Sequence, residues 1–146
     1  MIRRLLLACL TLNACTAATL RPADVRAGED ACVHCRMTII SLATAAQVAA
    51  SGAEPLLFDD LGCLRDYLAE KPLAPDAIVF VADHRTAQWI EAGHATFTRT
   101  RALTPMGSGL FAHASVEGRD QDPEALHGLP VTVEAILQRA RRRNAP

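Results

Sequence analysis

Short apolar runs alternating with a few helical stretches predict an α+β fold for this chain of 146 residues. Three observations carry that expectation. The strand candidates are only three to six residues long. The helical candidates are separated by clear Gly and Pro stops. The order strand, strand, helix occurs twice, around residues 38–70 and 87–127, which points to two small β-sheet-plus-helix units packed together.

The elements follow in order. Thr38–Ile40 and Gln47–Ala50 read as strands, with a turn at Ser51-Gly52. Leu56-Leu57-Phe58 is a further strand. Asp59 or Asp60 then caps a helix that carries Leu61, Leu64 and Leu68 on one face, and Pro72 and Pro75 end it. The continuous run AIVFVA at 77–82 predicts a buried strand, and Asp83–Thr86 a turn. Ala87–Ile90 and Ala95–Thr98 are two strands around Gly93, followed by a Pro/Gly loop at 103–109 and a strand over Leu110–Ser115. Asp122-Pro123-Glu124 has the form of a helix start, an Asp cap with Pro at the first position, stopped at Gly128. A short strand over 130–133 leads to Thr132 as the cap of a last helix reaching Arg142.

Half of the residues are apolar but only 4% are aromatic, so the core rests on Ala, Val, Leu and Ile. The formal charge is −1; loss of Arg3 and Arg4 with a leader would leave 13 basic against 16 acidic residues. No basic face with interleaved aromatics is present, which argues against nucleic-acid binding. Arg139, Arg141, Arg142 and Arg143 fit the C-terminal end of a helix, where cations complement the dipole.

The N-terminus reads as an address. Arg3 and Arg4 precede the apolar run 5–12, which is far short of the ~20 residues that span a bilayer. Leu12-Asn13-Ala14-Cys15 resembles a bacterial lipobox, so residues 1–14 are expected to be a lipoprotein signal peptide and Cys15 the lipidated residue. The expected location is the periplasm, with the chain lipid-anchored to the inner or outer membrane. Residues 15–30 are then a tether and 31–146 the folded domain.

Chemistry concentrates at Cys32-Val33-His34-Cys35-Arg36-Met37. Two thiols three residues apart with a thioether beside them form a soft donor set, which selects Cu(I). Met106, in the Pro/Gly loop, is the other methionine outside the initiator and a further candidate sulfur. Cys63 reads as a buried structural thiol, and His94 and His113 as structural or surface residues without a partner at ligand spacing. With Cys63 alone, the four ligands of a structural zinc site are not evident. A thiol–disulfide oxidoreductase using Cys32 and Cys35 is the enzymatic alternative, although the residues after the motif look strand-like rather than helical.

Four segments taken together resemble the NosL family of accessory lipoproteins for nitrous oxide reductase. They are Asp30-Ala31-Cys32 through Met37-Thr38-Ile39; Phe58-Asp59-Asp60-Leu61-Gly62-Cys63-Leu64 with Tyr67-Leu68; Val81-Ala82-Asp83 with Trp89-Ile90; and Thr104-Pro105-Met106-Gly107. The family often has Gly where this chain has Arg36. The resemblance implies a Cu(I) chaperone rather than an enzyme, serving the membrane-associated maturation complex of nitrous oxide reductase. It also implies a fold similar to the organomercurial lyase core. Its ligand roles fall on Cys35 and Met37, then Cys32, with Met106 as an additional sulfur. A carbon–metal lyase relative, with Cys63 or Asp59 as proton donor, is a further alternative. So is an assembly factor with a structural cysteine pair.

Overall fold

The computed structural model describes residues 19–138. Cys15, the signal segment and the C-terminal arginines lie outside the described residues. The architecture is α+β, with two small antiparallel sheets and three helices around one main core.

The first sheet has strand order β2-β1-β3-β4, with β1 at Ala46–Ala49, β2 at Leu56–Phe58, β3 at Ile78–Ala82 and β4 at Trp89–Glu91. The central strands β1 and β3 pair from Ala46↔Val81 to Ala49↔Ile78 and are buried along almost their whole length, as the unbroken apolar run of β3 requires. One face carries Ala46, Val48, Val79 and Val81 into the main core. A small cluster of Val25, Ile39 and Ala45 forms separately. Gln47 is fully buried yet satisfied: its side-chain amide exchanges hydrogen bonds with the Ala23 backbone at 2.7 and 3.2 Å. Part of the expected tether is therefore docked on the sheet, and packed structure begins upstream of Ala31.

The second sheet has order β6-β5-β7, from β5 at Thr96–Arg99, β6 at Leu110–His113 and β7 at Leu129–Val131. Pro130 sits in β7, an edge strand, where its missing N–H costs no ladder bond.

Helix α1 spans Leu61–Glu70 and buries Leu61, Cys63, Leu64 and Leu68 between the sheets and the short helix α3, Val133–Leu137. Asp60, not Asp59, is its cap, accepting from the Gly62 amide at 2.6 Å. Thr132 caps α3, accepting from the Ala135 amide. Among the described residues no helix is long and apolar enough to cross a membrane.

Three expectations need correction. Thr38–Ile40 is not a strand: only the bridge Ala31↔Thr38 forms, because residues 31–38 close into a tight loop and Ile40 turns out to solvent. The strands expected around Gly93 do not pair with each other. A 3₁₀ turn at Ala92–His94 carries the chain across, so β4 completes the first sheet and β5 starts the second. The helix expected from Asp122 is only a turn. The helix α2 instead lies at Val116–Asp120, capped by Ser115, and the backbone after Asp122 breaks at His127, whose φ is +64°.

Candidate metal centre

Cys32 and Cys35 stand on the loop that joins the bridged residues Ala31 and Thr38. The Cys32 amide donates to the Met37 carbonyl at 2.8 Å, and the Arg36 amide to the Cys32 carbonyl at 2.9 Å, so the loop folds back on itself. Closing it places Arg36 at φ +68°, in the left-handed region. That is a conformation glycine adopts without the clash an L side chain suffers. The loop is pinned to the sheet by the Val33 amide, which donates to Leu57 of β2 at 2.9 Å.

The segment Asp59-Asp60-Leu61-Gly62-Cys63 supplies the other side. Each residue has a distinct physical task. Asp59 is buried at the end of β2, and the Cys35 thiol lies 3.5 Å from its Oδ1. Asp60 is fully buried and holds two things together: its Oδ1 caps α1, and its Oδ2 accepts from the Thr104 hydroxyl and from the Met106 amide at 3.0 Å. Leu61 fills the core. Gly62 lets the 104–109 loop approach the helix, because a Cβ there would stand 2.7 Å from Ser108 Cβ. Cys63 follows in the first turn of α1, facing the cysteine loop.

One donor atom from each of Cys32, Cys35, Asp59 and Cys63 lies within 4.8 Å of the other three. All three cysteines are free thiols. Cys32 and Cys63 are almost wholly buried, and Cys35 is partly open. Burial pushes the Cys35 thiol up, and neighbouring Cys32 adds to the rise; the Met37 backbone and Cys63 draw it partly back. Burial also pushes Cys63 far up, reinforced by the charges of Cys32 and Asp59 and by Cys35. The raised thiols of Cys35 and Cys63 are protonated at neutral pH, and a thiophilic ion must displace their protons to bind.

The structure thus unites two of the residues singled out by sequence, Cys32 and Cys35, and adds Cys63. Met106 lies beside the cluster: with His34, Gly62, Cys63, Arg65 and Ser108 it lines an open depression on the surface. Met106 is 46% exposed and Met37, on the cysteine loop, 55%. Gly62, inside an otherwise good helical pattern, signals a close approach in the sequence, but to Ser108 of the 104–109 loop; Cys63 itself carries no local signal of its place in the cluster.

The fold and site define a small α+β protein with a compact cluster of three thiols and a carboxylate, close enough to hold one metal ion. No family model, curated protein or solved structure matches the chain.

Proposed function

We propose that this protein is a Cu(I) carrier that binds its cargo through Cys32, Cys35 and Cys63. The convergence of these three thiols within 4.8 Å is the observation that carries the reading. Three soft sulfurs match a soft monovalent ion, whereas the hard cations Mg²⁺ and Ca²⁺ require oxygen ligands. Two thiols are buried and the third is partly open, an arrangement suited to a carrier. The inner sulfurs hold the ion while Cys35 remains reachable by an incoming donor. Met106 and His34 line the adjacent depression and Met37 stands exposed on the loop, so further donors are available to a departing ion. Transfer then proceeds by ligand exchange without free copper.

The resemblance to NosL proteins supplies the finer reading. The chain is a periplasmic lipoprotein, anchored through Cys15, that delivers copper to the maturation complex of nitrous oxide reductase, on a fold similar to the organomercurial lyase core. Tethering raises the local concentration of carrier at a membrane-bound acceptor. The oxidoreductase alternative gains less support. Neither Cys32 nor Cys35 lies at a helix N-terminus, and the Cys35 thiol is raised, opposite to the depressed thiol such enzymes use.

Zinc is the second reading, favoured by Asp59. Cys32, Cys35, Cys63 and the Asp59 carboxylate together offer the four ligands of a tetrahedral zinc site. Anaerobic titration of the reduced apoprotein against a Cu(I) chelator decides between them. Tight one-to-one Cu(I) binding, weakened at least tenfold by Cys63→Ser and retained in Asp59→Asn, supports the carrier. Preference for Zn(II), lost in Asp59→Asn, overturns it.

A further inference from the structure

A second cluster lies beyond the C-terminal ends of β3 and β6, where the thiol chemistry has no role for it. His84 leaves β3 in the Asp83 turn, His113 ends β6, and Asp122 follows α2. Asp122 Oδ2 lies 2.6 Å from His84 Nδ1 and 2.9 Å from His113 Nε2. We infer that His84 Nδ1, His113 Nε2 and Asp122 Oδ2 form a binding site for a borderline divalent transition-metal ion of the Zn(II) class, separate from the thiol cluster.

Two imidazoles and one carboxylate are the donor set such ions favour. The site is built rather than incidental. His113 is fully buried, Asp122 nearly so, and His84 exposes only an edge. Asp83 fixes the turn that presents His84: its Oδ1 accepts from the Arg85 and Thr86 amides at 3.0 Å, and its Oδ2 from the Ala114 amide at 2.8 Å. The His84 amide donates to Ala112 of β6 at 2.9 Å, and its ring stacks on Phe111 at 3.7 Å between centroids. The Glu124 amide donates to Asp122 Oδ1 at 3.0 Å and sets the carboxylate's orientation.

The proton arrangement of the metal-free cluster leaves a mismatch that an ion would resolve. A carboxylate only accepts, so both facing ring nitrogens must carry protons. On neutral rings, His84 Nε2 is then a bare lone pair 3.5 Å from the Glu124 carboxylate. His113 Nδ1 is likewise bare, and it is buried without a partner, as is the Thr98 hydroxyl on the same face of the sheet by register. Buried polar groups are nearly always paired, so each such orphan calls for a partner. Metal bound at Nδ1 of His84 and Nε2 of His113 moves each ring proton to the opposite nitrogen. His84 Nε2–H then donates to Glu124, the carboxylate–histidine–metal relay common at such centres. His113 Nδ1 becomes a donor on the face where an unpaired hydroxyl oxygen waits. Asp122 is ionised and ready as a ligand: burial would raise it, but hydrogen bonds from His113, His84 and the Glu124 amide hold it down to about 2.

Nitrogen-15 spectra of the histidine rings, recorded on the full reduced chain during addition of excess Zn(II), test the inference. The expected result is a metal shift at His84 Nδ1 and His113 Nε2, with the ring protons appearing on the other nitrogens. His84→Phe, which preserves the stack on Phe111, should lose one equivalent of bound Zn(II) while retaining the native circular dichroism. Unmoved signals at tenfold excess, or unchanged stoichiometry in a folded His84→Phe, would show a structural hydrogen-bond network instead. Cys35→Ser should leave these ring shifts intact, so failure of the copper reading and failure of this one are separable.

Discussion

Asp60→Asn removes a charge from a fully buried side chain while keeping its shape. The asparagine oxygen can still cap α1 through the Gly62 amide. Its NH₂ group, however, replaces the oxygen that accepts from the Thr104 hydroxyl and the Met106 amide. The hydroxyl can rotate, but the Met106 N–H is left facing another donor. Hydrogen bonds to a charged acceptor contribute about 1.5–3 kcal/mol each, and an unsatisfied buried donor costs a similar amount. The expected loss is about 3–5 kcal/mol, a large part of the ~5–15 kcal/mol that holds a typical domain. Urea unfolding of the reduced apoprotein at pH 7 measures it. With a slope of ~1–3 kcal/mol per M, the midpoint should fall by about 2 M. Because the cap survives, Cu(I) affinity should fall less than in Cys63→Ser. A loss below about 1 kcal/mol would refute the role of Asp60 as the clamp between the cysteine helix and the Met106 loop.

Arg36→Gly should stabilise the apoprotein by ~0.5–1 kcal/mol in the same assay, since relief of the left-handed backbone at an exposed position outweighs the extra freedom of glycine in the unfolded chain. Apparent Cu(I) affinity should rise with pH, by about 100-fold per unit between pH 6 and 8, about tenfold for each of the two upward-pushed thiols that must release a proton to bind. A chelator competition that is flat across that range would contradict thiolate ligation. In metal-free protein, Asp122 has a folded pKa of about 2, below its unfolded value near 3.8. Its contribution of about 2 kcal/mol is therefore present above pH 4 and fades as pH falls to 2, so the stability gap between wild type and Asp122→Asn should close over that interval.

The sequence carried the fold class and most of its elements because their signals are local. The unbroken run at 78–82, short and rich in β-branched residues, reads as an interior strand, and the Leu61, Leu64, Leu68 spacing as one face of a helix, and both form. Sheet membership was not local. Nothing in residues 87–98 says that a 3₁₀ turn at Ala92–His94 sends β4 and β5 to different sheets. The Asp-Pro-Glu signal at 122–124 does start a turn, with Asp122 accepting from the Glu124 amide, but the left-handed backbone at His127 ends it before a helix forms, and no local pattern reports that break. The candidate site divides in the same way. Cys32 and Cys35 are neighbours in sequence and were visible. Cys63 joins them only because β2 and α1 fold back across the cysteine loop, and no spacing rule reports that.

X-ray absorption at the copper edge of the reduced, Cu(I)-loaded protein, compared with the Cys63→Ser variant, bears most directly on the three-thiol site. Three sulfur neighbours in the wild type, falling to two in the variant, are the expected result. An equal sulfur count in both, or a shell of nitrogen and oxygen alone, would contradict it.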